Sequence, residues 1–267
     1  MKNTEVIQVD GLDFNINTLK ILSQVSLSVS KNEFVGLVGP NGSGKSTLLK
    51  NIYRHYTPSS GMIYLNGKDV FKMKSKEVAQ QMAIVAQENQ PDFDFSVREM
   101  VMMGRYSRKK MLEQDNQMDH ESVSRALSMV GMQGTEERSF LSLSGGEKQR
   151  VYLAMAFAQE SELIILDEPT NHLDIGYQLY IMEIMRQFQN KTIFTSVHDM
   201  NLAARYCDRI MMLNEGRIIA NGRPEEVLTA ERIRDIFHVD TEIEKKNGCL
   251  NITYLGWHKM SPLNGVI

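Results

Sequence analysis

The sequence predicts an α/β protein interrupted by a helical insert, and three observations carry that expectation. The apolar run Phe34–Val38 has the uninterrupted, β-branched character of a strand buried on both faces, and it breaks into Gly39-Pro40-Asn41-Gly42 before helix-favouring residues begin at Lys45. Two further runs, Leu163–Leu166 and Thr192–Val197, flank a helical segment from Tyr177 to Phe188, the pattern of parallel strands joined by a crossover helix. Between these regions, from about Glu88 to about Gln159, the texture changes to helix formers and methionine with few β-branched runs.

Taken in order, the first forty residues read as strands, because Val25, Leu27 and Val29 alternate with serines at the two-residue period that turns one face to a core. Lys45 to Tyr53 then favours helix, Pro58-Ser59-Ser60-Gly61 punctuates, and Met62–Leu65 with the Asn66-Gly67 turn reads as another strand. Within the insert, Val123, Leu127 and Val130 recur at helical spacing and should form one buried stripe. The eighteen methionines are expected to fill gaps in packing. The run Arg105-Tyr106-Ser107-Arg108-Lys109-Lys110 is expected to be a solvated face, with partner contact as the weaker reading.

Composition excludes several classes. With 30 basic against 33 acidic side chains, a formal charge of −3 gives no bulk attraction to polyanions, so no nucleic-acid partner is expected. The only two cysteines, Cys207 and Cys249, are far apart, which fits neither a disulfide framework nor a zinc site and points to a reducing compartment. No stretch approaches the roughly 20 apolar residues of a membrane span, and Met1-Lys2-Asn3-Thr4-Glu5 lacks the apolar block of a secretory signal. The chain is expected in the cytoplasm, with any membrane connection running through a partner.

The chemistry is concentrated in three places. Gly39-Pro40-Asn41-Gly42-Ser43-Gly44-Lys45-Ser46-Thr47 matches the phosphate-loop pattern G-x-x-x-x-G-K-S/T between a strand and a helix. Glycines let successive backbone N–H groups point inward at phosphate oxygens, and the helix offers its positive end. Lys45 should reach the β and γ phosphates, the Ser46 hydroxyl should ligate Mg²⁺, and Thr47 should support the α-phosphate region and the helix start. Next, Leu163–Leu166 delivers Asp167 and Glu168 at the end of a buried strand, Asp167 placed to hold Mg²⁺ through water and Glu168 to orient or deprotonate an attacking water. Finally, Leu143-Ser144-Gly145-Gly146-Glu147-Lys148-Gln149-Arg150 opens a second helix whose N-terminus is another anion-binding end.

This last segment resembles the signature sequence of ATP-binding cassette (ABC) ATPases, and the rest of that family's motifs occur in order. Gln87 resembles the glutamine-loop residue, Asn171-His172-Leu173-Asp174 the D-loop, and His198 the switch histidine. The resemblance implies a P-loop NTPase (RecA-like) core over residues 1–87 and 160–240, with an antiparallel β subdomain, an inserted α-helical subdomain at 88–159 carrying the signature, and a C-terminal extension at 241–267. It implies that Ser144, Gly145 and Gly146 act in trans on ATP held by the phosphate loop of a second subunit, so that nucleotide becomes part of a homodimer interface and its hydrolysis lets the halves separate. Gln87 would couple Mg²⁺ and the γ-phosphate to the helical subdomain that grips the membrane subunits, and His198 would contact the γ-phosphate and align water with Glu168. His55, His120, His172, His238 and His258 have no such placement and default to structural or surface roles.

The chain departs from the family at Ile16, which aligns where an aromatic commonly stacks on adenine; weak base discrimination is the expectation, with Phe14 compensating only in a different register. Val97-Arg98-Glu99-Met100-Val101, Gly104-Arg105, His172-Leu173-Asp174-Ile175, His198–Arg205 and Gly222–Thr229 look like the ATPase subunits of iron-siderophore, haem and cobalamin importers. That resemblance implies two membrane-spanning permease subunits, an extracellular or periplasmic substrate-binding protein and a place on the inner face of the cell membrane. Iron-siderophore import is the first reading and haem or cobalamin import the alternative. Ser107-Arg108 stands where the group often has Pro-His, which bears on the membrane-subunit contact. A nontransport ABC ATPase would usually bring a second cassette, a long coiled coil or zinc-binding cysteines. A P-loop kinase or GTPase would have no use for the Ser144-Gly145-Gly146 segment.

Overall fold

A computed structural model describes residues 5–86, 93–110, 113–171, 173–188, 190–246 and 248–258. Its centre is a six-stranded sheet built from β3 (Phe34–Val38), β6 (Met82–Val85), β7 (Leu163–Leu166), β8 (Thr192–Ser196), β9 (Arg209–Asn214) and β10 (Arg217–Gly222), in the order β10-β9-β3-β8-β7-β6. The five strands from β9 to β6 run parallel, and β10 returns antiparallel on β9. The apolar runs behave as the sequence anticipates: every residue of β3, β7 and β8 is buried. Successive side chains go to opposite cores. Leu163 and Ile165 join one cluster and Ile164 and Leu166 the other, while Met211 and Leu213 separate from Ile210 and Met212 in the same way.

One core lies between this sheet and an antiparallel sheet of β1 (Glu5–Ile16), β2 (Leu19–Ser30), β4 (Ser60–Leu65) and β5 (Lys68–Asp69), ordered β2-β1-β4-β5. Val25, Val29 and Ile63 from that sheet meet Val35 and Leu37 of β3, with Leu48, Leu49 and Ile52 of α1 (Lys45–Ile52) in the same cluster. Helix α2 (Ser75–Gln81) precedes β6.

The other face is covered by helices. α3 (Val97–Met102), α4 (Gln117–Met129) and α5 (Gly145–Ala158) pack with the stripe Val123, Leu127 and Val130 fully buried. α6 (Ile175–Gln187), α7 (Met200–Tyr206), α8 (Pro224–Val227) and α9 (Ala230–Phe237) complete this layer. The described part of the C-terminal stretch is a hairpin of β11 (Val239–Lys246) and β12 (Cys249–Trp257), which begins two residues before position 241 and is tied to α7 by Asn201, bonded to both backbone polar groups of Ile252. Among the described residues, no helix is long and apolar enough to cross a membrane.

The basic run corrects the sequence reading. Arg105 and Lys109 are 7% exposed, not solvated, because the 3-10 turn Met103–Arg108 tucks them against α4 and the end of α5. Asp119 takes Arg105 at 3.1 Å and Lys109 at 3.0 Å; Glu160 takes Arg105 at 3.0 Å, and Asp115 pairs with Lys109. Arg108 donates to the carbonyls of Gln159 and Glu160. Gly104 allows this approach, since a Cβ there would lie 2.2 Å from the Met155 carbonyl oxygen. Burial disfavours the charged Asp119 carboxylate, but the Asn116 backbone bond and its two cationic partners outweigh burial and hold it below the usual carboxylate range. Asp119→Ala removes the one carboxylate shared by two buried cations, leaving Arg105 to Glu160 and Lys109 to Asp115, so it is expected to lower folding stability by about 3 kcal/mol. The measurement is the urea midpoint, and an unchanged midpoint would show the cluster to be energetically idle.

Candidate active site

Parallel pairing puts the phosphate loop after β3, the carboxylates after β7 and His198 after β8 at the same sheet edge, where the neighbours of β3 diverge to β8 and β9. The loop's shape depends on close approach. A Cβ at Gly39 would lie 2.1 Å from the Leu213 carbonyl oxygen on β9, and one at Gly44 would lie 2.9 Å from the Leu22 side chain. Gly44 has φ 104°, a left-handed backbone that glycine adopts without strain. The turn between β9 and β10 braces the loop from outside, Gly216 N–H donating to the Ser43 carbonyl at 3.0 Å. Asn41 and Gly42 remain exposed.

Among the described residues, two buried charges in this cradle have no ion-pair partner. Lys45 is 5% exposed, and its ammonium donates to the Gly39 carbonyl at 2.8 Å and the Pro40 carbonyl at 3.2 Å. Burial pushes its pKa down, with Glu168 and Asp167 opposing from a distance. Asp167, 3% exposed, accepts on Oδ1 from two hydroxyls, Ser46 at 3.0 Å and Ser196 at 2.9 Å. Burial pushes that carboxyl up, the two hydroxyl bonds working against it. Ser43 Oγ is buried with no hydrogen-bond partner among the described residues. An orphaned hydroxyl and an unpaired ammonium fit phosphate oxygens, and a carboxylate beside Ser46 supplies the hard oxygen donors that suit Mg²⁺.

Glu168 stands beside this cradle in strained backbone, with φ 54°, a left-handed conformation uncommon outside glycine. Its N–H donates to Ser196 Oγ at 2.7 Å. Its carboxylate meets His198 Nε2 at 2.5 Å through Oε1, and the Asn171 side-chain amide through Oε2. Ser196 and Asn171 are the contributors that motif reading does not single out. Ser196 belongs to an apolar strand run with no chemical signature, and Asn171 is hidden inside the D-loop resemblance.

The signature segment forms a capped helix end of its own. Ser144 caps α5 by accepting from Glu147 N–H at 3.3 Å, and Glu147 returns a bond from Ser144 N–H at 2.9 Å. That backbone bond and Arg138 hold the Glu147 carboxyl down at about 2. Gly145 faces open space, whereas a Cβ at Gly146 would lie 3.6 Å from the Tyr177 ring on α6. Arg150, one turn further along, sits over Tyr177 at 5.7 Å and Tyr180 at 5.9 Å, tying α5 to α6. Asp174 caps α6 by accepting from Tyr177 N–H at 3.1 Å. Among the described residues, no hydrogen bond, ion pair or ring contact links residues 144–146 to the loop at 39–47. Thus Gly39 to Thr47, Asp167, Glu168 and His198 gather at one edge, Ser144, Gly145, Gly146 and Asp174 form separate helix ends, and Gln87 and His172 lie outside the described residues.

Ile16 ends β1 at 47% exposure, on the hairpin whose following residues Ile21 and Leu22 touch Gly44. Phe14 does not replace it, being 8% exposed and stacked on Tyr56 with ring centroids 5.1 Å apart.

Comparison with known proteins agrees with this layout. A family profile described as ABC transporter matches residues 22–171. The petrobactin import ATP-binding protein FpuC of Bacillus anthracis is 40% identical, covering 83% of this chain and 83% of that protein. The iron(3+)-hydroxamate import ATP-binding protein FhuC of Bacillus subtilis is 38% identical, covering 84% of each. Among solved structures, cbiO1 from Clostridium perfringens, part of the ABC transporter complex cbiONQ, superposes with a TM-score of 0.76 at 28% identity, covering 87% of this chain and 94% of that one. Phosphate loop, carboxylate strand and signature helix, in this order and on this sheet, place the chain in the ABC transporter family as one of its ATP-binding subunits.

Proposed function

We propose that the chain is the ATP-hydrolysing subunit of an importer for iron-siderophore complexes. It works as a homodimer on the inner face of the cell membrane against two membrane-spanning permease subunits, which receive cargo from an extracellular or periplasmic binding protein. The observation that carries the ATPase reading is the shared sheet edge: a buried Lys45 held on loop carbonyls, a buried Asp167 that accepts from two hydroxyls, and Glu168 gripped by His198. The names of the relatives, petrobactin and iron(3+)-hydroxamate import proteins, support the cargo class.

In this reading the loop amides and Lys45 bind the β and γ phosphates, and the Ser43 hydroxyl finds its missing partner there. Ser46 and, through water, Asp167 would hold Mg²⁺ with Gln87, and the ion supplies positive charge against the phosphate oxygens. Glu168 orients the attacking water and takes its proton as water's oxygen bonds to the γ-phosphorus and the bond to the leaving ADP oxygen breaks. His198 holds the γ-phosphate and aligns the water with Glu168. The open helix end at Ser144, Gly145 and Gly146 supports a role in trans, because a second copy can lay that end on nucleotide held by the first.

Glu168→Gln is expected to bind ATP yet accumulate a closed dimer, Lys45→Ala to lose nucleotide binding itself, and Ser144→Arg to bind as a monomer without closing. Gel filtration with ATP and turnover assays separate the three, and parent-rate hydrolysis by Glu168→Gln would refute the assignment of that residue. Ile16→Tyr should tighten ATP binding by an amount on the order of 1–3 kcal/mol, a stacking gain read by competition binding; a strong preference for ATP over GTP that the substitution leaves unchanged contradicts weak base discrimination. Reconstituted with its membrane and binding subunits, the chain should hydrolyse ATP faster when a ferric siderophore is supplied, and stimulation by haem or cobalamin instead would replace the cargo class.

A further inference from the structure

We infer that Asn171 is a positioning residue for Glu168, holding the carboxylate from the side opposite His198. The inference rests on the reading of Glu168 as the group that activates water. Two oxygens of one carboxylate are each taken by a different segment of chain: Oε1 by His198, after β8, and Oε2 by the Asn171 amide, in the loop between β7 and α6. Asn171 is tied to the same residue through its backbone as well, its N–H donating to the Glu168 carbonyl at 3.2 Å. The turn from Glu168 to Asn171 is therefore closed twice, once by main chain and once by side chain, around a residue whose φ of 54° needs such support.

Described residues on both sides of Asn171 are anchored to α6. Gln178 on α6 reaches back to the Thr170 carbonyl at 3.3 Å and the Leu173 carbonyl at 3.0 Å, bracketing Asn171 on both sides. Asp174 anchors the far end as the cap of α6. The amide is thus held by secondary structure, whereas His198, with 35% of its side chain exposed, is the looser of the two partners. When His198 turns to a γ-phosphate, Asn171 keeps the carboxylate in place with one oxygen still free to accept from water.

The diagnostic substitution is Asn171→Asp, which keeps the shape of the side chain and changes a donor into a charged acceptor facing Glu168. Purified variants are compared by kcat, KM, ATP binding and thermal midpoint. Asn171→Asp is expected to lose kcat by roughly tenfold to a hundredfold, the scale of a misplaced catalytic group, with ATP binding and midpoint close to the parent. Asn171→Ala, which removes the donor without adding charge, is expected to fall between parent and Asp. A residue that only shapes the loop gives the reverse order, the isosteric Asp being milder than Ala, and that order overturns the inference even if one variant is unstable. Parent kcat in Asn171→Asp also overturns it. With Glu168→Gln inactive, that result leaves the function reading intact; parent-rate hydrolysis by Glu168→Gln overturns the function reading itself.

Discussion

The Asp167 carboxylate is the joint on which this molecule turns. One of its oxygens accepts from Ser46 at the start of α1 and from Ser196 at the end of β8, while its backbone N–H donates to the Val85 carbonyl on β6. A single buried group thereby aligns the phosphate loop with three adjacent strand ends. A buried carboxylate with only neutral donors is an expensive arrangement, and it is stable only where the packing around it is fixed. Both cores supply that rigidity, because the strands that deliver Asp167, Ser196 and the loop are buried on both faces.

The same residue links two adjacent but distinct sets of side chains. Lys45 bonds to the loop carbonyls on one side of the joint, and Glu168 meets His198 on the other. Ser196 serves both, donating to Asp167 and accepting from the Glu168 backbone. The free chain satisfies nearly every one of these groups internally, with Lys45 on loop carbonyls, Glu168 on His198 and Asn171, Ser144 on Glu147 and Asp174 on Tyr177. In the proposed function, nucleotide binding would therefore be an exchange of partners, with a net gain smaller than the number of new contacts implies.

Much of this was legible in the sequence because its signals are local. Period-two alternation placed β2, uninterrupted apolar runs placed β3, β7 and β8, and the glycine spacing of the loop named its residues before any contact was visible. What escaped was non-local. Nothing in Arg105-Tyr106-Ser107-Arg108-Lys109-Lys110 announces that Asp119 lies across from it, so two internal cations read as surface. Likewise, Ser196 becomes part of the site only when β8 inserts between β3 and β7, and Asn171 only when a turn folds it back on Glu168.

The brace on the phosphate loop has a consequence for the order in which the protein matures. The loop is encoded at residues 39–47, yet Gly39 rests on the Leu213 carbonyl and Ser43 receives a bond from Gly216. Its neighbour in the sheet, β8, begins only at Thr192. During synthesis from the N-terminus, the loop gains these contacts only after residues through Gly216 have left the ribosome, so a nascent chain carries the loop's sequence long before it carries the loop's shape. A truncated product ending before β9 carries the loop's glycines and lysine without the contacts from Leu213 and Gly216 that brace their shape.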